Sequence, residues 1–233
     1  MPHVAETSSP RLTALLALAV PGLFLVGFGL LTRLLDYPAV LDQPGGDVLA
    51  RVASAGPGVR ASWYAVMLAG LLQIPLSLWV HRWLARPAPV SLEAATCFGV
   101  LAGFTQFLDL SQWVFLVPTL AQRYVSPDTS EAARVALVTS YQAFQDYVGV
   151  ALGRYFATVA SGVWALGVGN AMRQLPGPWR WVGWLGMLSG VAFLVSIFQP
   201  FGFAFWAVVN TVGFGAWVLW LWGTAFFLLR PPA

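Results

Sequence analysis

The fold of this chain is constrained most by six long apolar runs that follow one another along the sequence. A helix needs about 20 apolar residues to cross the hydrocarbon core of a bilayer, and these runs contain 18 to 27 residues. Only helices and closed barrels satisfy all backbone polar groups inside a bilayer. We therefore predict an all-α, polytopic integral membrane protein with six transmembrane helices in one bundle. The predicted spans are 12–31, 62–83, 92–117, 147–171, 181–198 and 203–229.

The composition excludes several classes of protein. Only 9% of the residues are charged, compared with about 25% in soluble domains, so the chain cannot cover a soluble surface with charge. All 12 basic residues are arginines, which excludes a phosphate-binding P-loop and a Schiff-base lysine. The lone Cys97 and the two histidines, His3 and His81, argue against a disulfide, a metal centre or bis-histidine haem. We expect no cofactor, and the net charge of +3 is too small for a nucleic-acid partner.

The segments outside the spans are short. Residues 1–11 are predicted to form a polar N-terminal tail, and residues 12–229 the single transmembrane domain. The longest loop, 33–60, is expected to contain a short helix near residues 47–55, with Asp47 and Arg51 paired four residues apart. Residues 128–146 are predicted to be an interfacial helical extension of the fourth span, capped by Asp128. Pro118 is expected to end the third span.

The distribution of arginines predicts the orientation in the membrane. Six arginines fall on the side of the two termini and five on the other side. Seven of the 12 tryptophans also lie near the termini side. By the positive-inside rule, both termini are expected to face the cytoplasm of a bacterial inner membrane.

Two charged residues lie deep inside predicted spans, away from the span ends, where a charge costs roughly 3 kcal/mol or more. Asp109 lies in the third span and Arg154 in the fourth, at similar depth in neighbouring antiparallel helices. We therefore predict a buried ion pair between Asp109 and Arg154. The pair has two interpretations: a structural contact that sets helix register, or the centre of a ligand or proton site. A third alternative is that the two charges have other partners, for instance Asp146 for Arg154.

Further polar residues are predicted to line a pocket in the same half of the bundle. Each residue is equally compatible with a hydrogen bond between helices. Together they predict a cavity that opens away from the termini. The candidate pocket residues are Gln106, Gln112, Gln142, Asp146, Tyr147 and Asn210.

Three pairs of glycines, each separated by three residues, are predicted to mark close helix packing. The alternative is that one of these pairs forms a homodimer face, so a homo-oligomer remains possible. The pairs are Gly99 and Gly103, Gly149 and Gly153, and Gly186 and Gly190.

Several short segments carry a resemblance to a known family. There are four such segments: Asp36-Tyr37-Pro38-Ala39-Val40-Leu41, Trp63-Tyr64-Ala65, Trp113-Val114-Phe115-Leu116-Val117-Pro118 and Phe144-Gln145-Asp146-Tyr147. Together they resemble the bacterial domain of unknown function 4386 family. The resemblance covers nearly the whole chain and implies six spans, but no known reaction.

The sequence contains no catalytic signature such as H-E-x-x-H or G-x-S-x-G with a membrane histidine. We expect a non-enzymatic module that binds a small or lipid-like molecule and has the lipid bilayer as its surroundings. The alternative is a structural or regulatory subunit that packs against another membrane protein. A membrane-embedded enzyme is the third hypothesis.

Overall fold

The computed structural model describes residues 10–84, 90–202 and 205–230, and most of the predicted tail lies outside these ranges. The described residues form α-helices with short 3-10 turns, one π-helical segment and no strand. The α-helices are α1 (Pro10–Leu35), α2 (Gly45–Ser54), α3 (Pro57–Leu84), α4 (Val90–Val125), α5 (Glu131–Phe144), α6 (Ala157–Met172), α7 (Trp179–Leu194) and α8 (Trp206–Leu229). The π segment (Gln145–Phe156) joins α5 to α6, and a 3-10 segment (Val195–Phe201) follows α7.

Four helices in the described part of the chain are long and apolar enough to cross a membrane. They are Pro10–Leu35, Pro57–Leu84, Val90–Val125 and Val208–Leu229. The other two predicted spans fall on shorter elements. Where the fourth span was predicted, the 12-residue π segment precedes the 16-residue α6. Where the fifth was predicted, the 16-residue α7 ends in the 3-10 segment.

The chain divides into two compact units, whereas the sequence predicts one domain over residues 12–229. Unit 1 comprises Met1–Pro21, Leu72–Gly103 and Thr158–Ala233, and unit 2 comprises Gly22–Leu71 and Phe104–Ala157.

In unit 1, glycines allow helices to approach each other closely. A Cβ atom on Gly190 would lie 2.8 Å from the backbone oxygen of Gly162, so α6 and α7 touch backbone to backbone. Gly186 lies against the indole of Trp220 in α8, and that ring packs edge-on against Trp164 at 5.1 Å. Gly99 contacts the same Trp164, which is fully buried. These three glycines of the predicted motifs therefore pack within the chain, and Gly103 is buried.

In unit 2, α2 packs against α5. It lies where the sequence predicts a short helix, but Arg51 pairs with Asp36 and not with the predicted Asp47. Asp36 follows the end of α1 with a φ of 55°, and the next peptide bond, Tyr37–Pro38, is cis. The pair therefore connects α2 to the end of α1.

The prediction that Pro118 ends the third span is wrong, because α4 continues to Val125. A proline inside a helix has no N–H for the carbonyl four residues earlier, which here belongs to Val114. That carbonyl instead accepts a hydrogen bond of 3.3 Å from the Arg60 guanidinium in the first turn of α3. A side chain from a neighbouring helix therefore supplies the donor that Pro118 lacks.

We expect Arg60→Gln to lower the free energy of unfolding by about 1 kcal/mol, the net value of a typical hydrogen bond. In a Pro118→Ala background, the restored N–H of residue 118 donates a hydrogen bond to the Val114 carbonyl. The Arg60→Gln substitution should then leave the free energy of unfolding almost unchanged. Unfolding of the four variants in detergent measures this coupling. An equal cost in both backgrounds would show that Arg60 does not replace the missing donor.

The predicted N-cap of the interfacial helix is also wrong. Helix α5 begins at Glu131, and its N-cap is Ser130, whose hydroxyl accepts a hydrogen bond from the Ala133 N–H at 3.3 Å. The Thr129 hydroxyl donates to the Arg123 carbonyl, which folds the preceding residues into a turn. Asp128 therefore lies before the cap, in that turn.

Candidate functional site

The carboxylate of Asp109 lies at a close contact between α4 and the π segment. Its Oδ1 atom accepts a hydrogen bond of 2.9 Å from the Gln112 amide, one turn later in α4. On the other side it faces Gly153. A Cβ atom at Gly153 would lie 2.6 Å from the Cβ of Asp109 and closer still to its carboxylate. The missing side chain at position 153 therefore makes the space that the carboxylate occupies.

Arg154, the next residue, interacts electrostatically with Asp109. Among the residues that the structure describes, both of these included, the one ion pair within 4.0 Å is that of Arg51 with Asp36. The predicted direct pair between Asp109 and Arg154 is therefore corrected to an interaction at longer range. The carboxylate instead packs against Gly153 and accepts the hydrogen bond from the Gln112 amide.

Tyr37, which follows α1, lies within reach of both charges. Burial raises the pKa of Tyr37 to about 12, and the negative charge of Asp109 adds to this rise whereas Arg154 opposes it. The end of α1, the middle of α4 and the π segment thus bring Tyr37, Asp109 and Arg154 together. We call these residues, with Gln112 and Gly153, the Asp109 site.

The raised pKa of Tyr37 predicts a loss of stability at high pH. The unfolded state releases the tyrosine proton near pH 10 and the folded state near pH 12, so stability should fall between these values. A shift of two pKa units corresponds to at most about 3 kcal/mol. Tyr37→Phe should remove this part of the pH dependence, whereas Tyr64→Phe, at an exposed position, should leave it unchanged. Unfolding from pH 9 to 12 tests this, and identical profiles for the two variants would contradict it.

A column of six aromatic rings borders the site within unit 2. Phe24 stacks on Phe28 at 5.7 Å, and Phe28 stacks on Tyr37 at 5.4 Å. The column continues through the edge of Trp63 at 5.3 Å and the face of Trp113 at 4.6 Å, and it ends at Tyr141. Trp63 and Trp113 are buried. Four separate parts of the chain are therefore joined by aromatic contacts of the favoured geometry.

Buried polar atoms near the site lack hydrogen-bond partners among the described residues. They include the Gln112 carbonyl oxygen, whose amide holds Asp109, and the Trp63 indole N–H, whose ring touches Tyr37. More than nine-tenths of each of these side chains is buried. Most buried polar groups in proteins are hydrogen-bonded, so each such exception needs an explanation.

Unit 2 also contains two small clefts. The first, of about 210 Å³, lies between the end of α2, the start of α3 and α4, and its wall includes Arg60, Trp63, Trp113, Pro118 and Gln122. The second, of about 280 Å³, lies between the end of α4 and α5 and is lined by residues including Tyr124, Arg134 and Gln142. Typical pockets for drug-sized ligands have 300 to 1,000 Å³, so each cleft is smaller than such a pocket.

The structure places the predicted pocket residues in different surroundings. Gln112 is part of the Asp109 site, and Gln142 lines the second cleft. Gln106 is half-buried, Asp146 and Tyr147 are exposed, and none of the three lines either cleft. Asn210 belongs to unit 1, and its buried side-chain oxygen has no hydrogen-bond partner among the residues that the structure describes. Gly149 packs against the side chain of Gln145 in its own helix.

Sequence reasoning did not single out Tyr37 of the Asp109 site, Trp63 and Trp113 of the aromatic column, or Arg60 of the first cleft. The signals were nevertheless present. Pro118 frees a carbonyl that needs a donor, and the three aromatic residues lie in the segments that carry the family resemblance. Among the described residues, no group of three or more histidines, cysteines or carboxylates is arranged to hold a metal ion.

Comparison with known proteins gives a family but no characterised relative. The model of a family described as "Domain of unknown function (DUF4386)" matches residues 12–229. Neither the curated proteins nor the solved structures contain a match.

Proposed function

This chain belongs to the family of domains of unknown function DUF4386, and from that premise we propose that it binds a small or lipid-like molecule at the Asp109 site. The role is one of binding, and we assign it no reaction. The ligand would contact Arg154 and the Gln112 carbonyl oxygen, and the aromatic column would supply the apolar wall.

One observation carries this proposal. Gln112 is 94% buried and uses its amide to hold Asp109, while its carbonyl oxygen has no partner in the described chain. Arg154 interacts electrostatically with the same Asp109 but forms no direct ion pair with it. An unpartnered buried acceptor costs about 1–3 kcal/mol, which a ligand with a hydrogen-bond donor would recover.

The chemistry of the proposed ligand follows from the groups of the Asp109 site and its bordering aromatic column. The guanidinium of Arg154 offers hydrogen-bond donors to an anionic or carbonyl oxygen, and the Gln112 oxygen accepts from a hydroxyl or an amine. Trp63 and Tyr37 favour an apolar or ring-shaped portion. The ligand class is therefore a small amphiphile with both donors and acceptors in its polar part.

We extend the proposal to the number of membrane spans and their orientation. The π segment and α6 follow one another without a break over residues 145–172, which is longer than the roughly 20 residues that cross a bilayer. Helix α7 and the 3-10 segment that follows it are together also long enough to cross a bilayer. We infer six spans in a bacterial inner membrane, with both termini in the cytoplasm. Reporter fusions after residues 125 and 177 test this orientation. Alkaline phosphatase activity at 177 and none at 125 would overturn it.

Native mass spectrometry tests the binding role. The wild-type protein, purified in a mild detergent, should carry a bound small molecule at a 1:1 ratio. Asp109→Asn and Arg154→Gln should lose it. The matched substitutions Asp128→Asn and Arg123→Gln, at exposed positions of the same unit, should keep it. A wild-type protein without a bound molecule, or one whose bound molecule survives both site substitutions, would contradict the proposal.

A further inference from the structure

The charges of the chain are divided unequally between the two units. Unit 1 contains six of the 12 arginines but only two acidic residues, Glu6 and Glu93. Unit 2 contains the other six arginines and seven acidic residues. By composition, unit 1 is therefore basic.

Three of these arginines have a guanidinium over an aromatic ring. Arg82 lies 5.2 Å from the centre of the Trp79 ring, and Arg173 lies 5.4 Å from that of Trp184. Arg230 is 4.1 Å from the ring centre of Phe226 and 5.4 Å from that of Phe227. Arginine can stack on a ring and still direct its N–H groups, in the plane of the guanidinium, to a phosphate.

The rings beside Arg230 belong to a larger aromatic cluster. Phe227 contacts Trp179 at 5.7 Å, and Trp179 contacts Trp83 at 4.6 Å. The ends of α3 and α8 and the start of α7 therefore meet at one place. We call this group, with Phe226 and Arg230, the Arg230 cluster. Tryptophans of this kind lie at the level of the lipid headgroups in membrane proteins.

Further arginines and a tryptophan lie at exposed positions elsewhere in unit 1. Trp181 is 74% exposed and lies next to Arg180 at the start of α7. Arg173 donates from Nε to the Asn170 side chain at 2.8 Å, which restrains its guanidinium over the ring of Trp184. The surface thus combines fixed cations with amphipathic rings.

We propose that the Arg230 cluster and Arg173 bind the phosphate of anionic lipid headgroups. The fit rests on charge complementarity, because the phosphates of anionic lipids supply the negative charge that unit 1 lacks. Bidentate contacts between arginine and phosphate are stronger than neutral hydrogen bonds. This inference is independent of the ligand proposed for the Asp109 site in unit 2.

The test uses the full chain in a neutral detergent, with phosphatidylglycerol or phosphatidylcholine added in a titration followed by native mass spectrometry. The wild type should bind phosphatidylglycerol more tightly than phosphatidylcholine. Arg230→Gln combined with Arg173→Gln should weaken phosphatidylglycerol binding at least about tenfold, as expected for the loss of charge-assisted contacts. Arg33→Gln, which removes an exposed arginine of unit 2, should leave the affinity unchanged.

Two further measurements distinguish a specific phosphate site from attraction by net charge alone. Arg230→Lys keeps the charge but loses the planar contacts, so it should weaken binding severalfold. Full affinity in Arg230→Lys, or an equal loss in Arg33→Gln, would overturn the proposal in favour of net charge alone. Inorganic phosphate at millimolar concentration should not compete with the lipid. Competition at that concentration would assign the site to a soluble phosphate and not to a lipid.

Discussion

Replacing Gly153 with alanine is expected to lower the free energy of unfolding by about 1–3 kcal/mol, the usual cost of overpacking a tight contact. The new methyl group would lie 2.6 Å from the Cβ of Asp109 and closer still to its carboxylate. The carboxylate cannot simply rotate away, because its own Cβ is part of the clash. Either α4 or the π segment has to move.

Two controls show whether the clash with Asp109 is the cause. Gly29→Ala adds a methyl group at a position with no neighbour within 4 Å, so it should not destabilise the protein through a clash. Asp109→Ala removes the two closest atoms, so Gly153→Ala should cost less in that background. Thermal unfolding in detergent gives all of these values. If Gly29→Ala costs as much as Gly153→Ala, the contact at Asp109 is not close.

The second large effect is expected at Asp109 and Arg154 themselves. Asp109→Asn and Arg154→Gln should each destabilise the protein, but by less than the 3–5 kcal/mol that follows from breaking a buried ion pair. The reason is that the two groups interact without direct contact. A double-mutant cycle should still give a coupling above about 0.5 kcal/mol. Strictly additive effects would show that the two charges do not interact.

The swapped variant, Asp109→Arg with Arg154→Asp, tests whether the close packing at Gly153 determines which side chain fits at position 109. A simple ion pair would keep much of its stability after the swap. We expect a severe loss instead, because the longer arginine side chain does not fit against the backbone of Gly153. Stability close to that of the wild type would favour a purely structural pair and would contradict the close packing at Gly153.

The sequence predicted the helical class because hydrophobic runs of membrane length leave few alternatives. It did not predict where α4 ends. A proline usually stops a helix, and the exception here depends on Arg60, which is 58 residues earlier in the chain. The N-cap of α5 was missed by two residues, since Asp128 and Ser130 have similar capping propensities and only the local turn decides between them.

The site was predicted in part. Asp109 and Arg154 were identified because charge inside an apolar run is costly. Their separation was not predictable, because it depends on the π segment and on the contact of Gly153 with Asp109. Spacing in a sequence assumes regular α-helical geometry, and a π segment changes which residues share a face. The aromatic column depends on contacts between distant parts of the chain, which a single sequence does not reveal.

The most direct test of the central claim is an experimental density map of the protein in nanodiscs made from native membrane lipids. We expect density for a non-protein group that contacts Arg154 and the Gln112 carbonyl oxygen, with Asp109 still held by the Gln112 amide. A direct contact of Arg154 with Asp109, with protein side chains filling the space and no additional density, would contradict a ligand site and leave a structural pair.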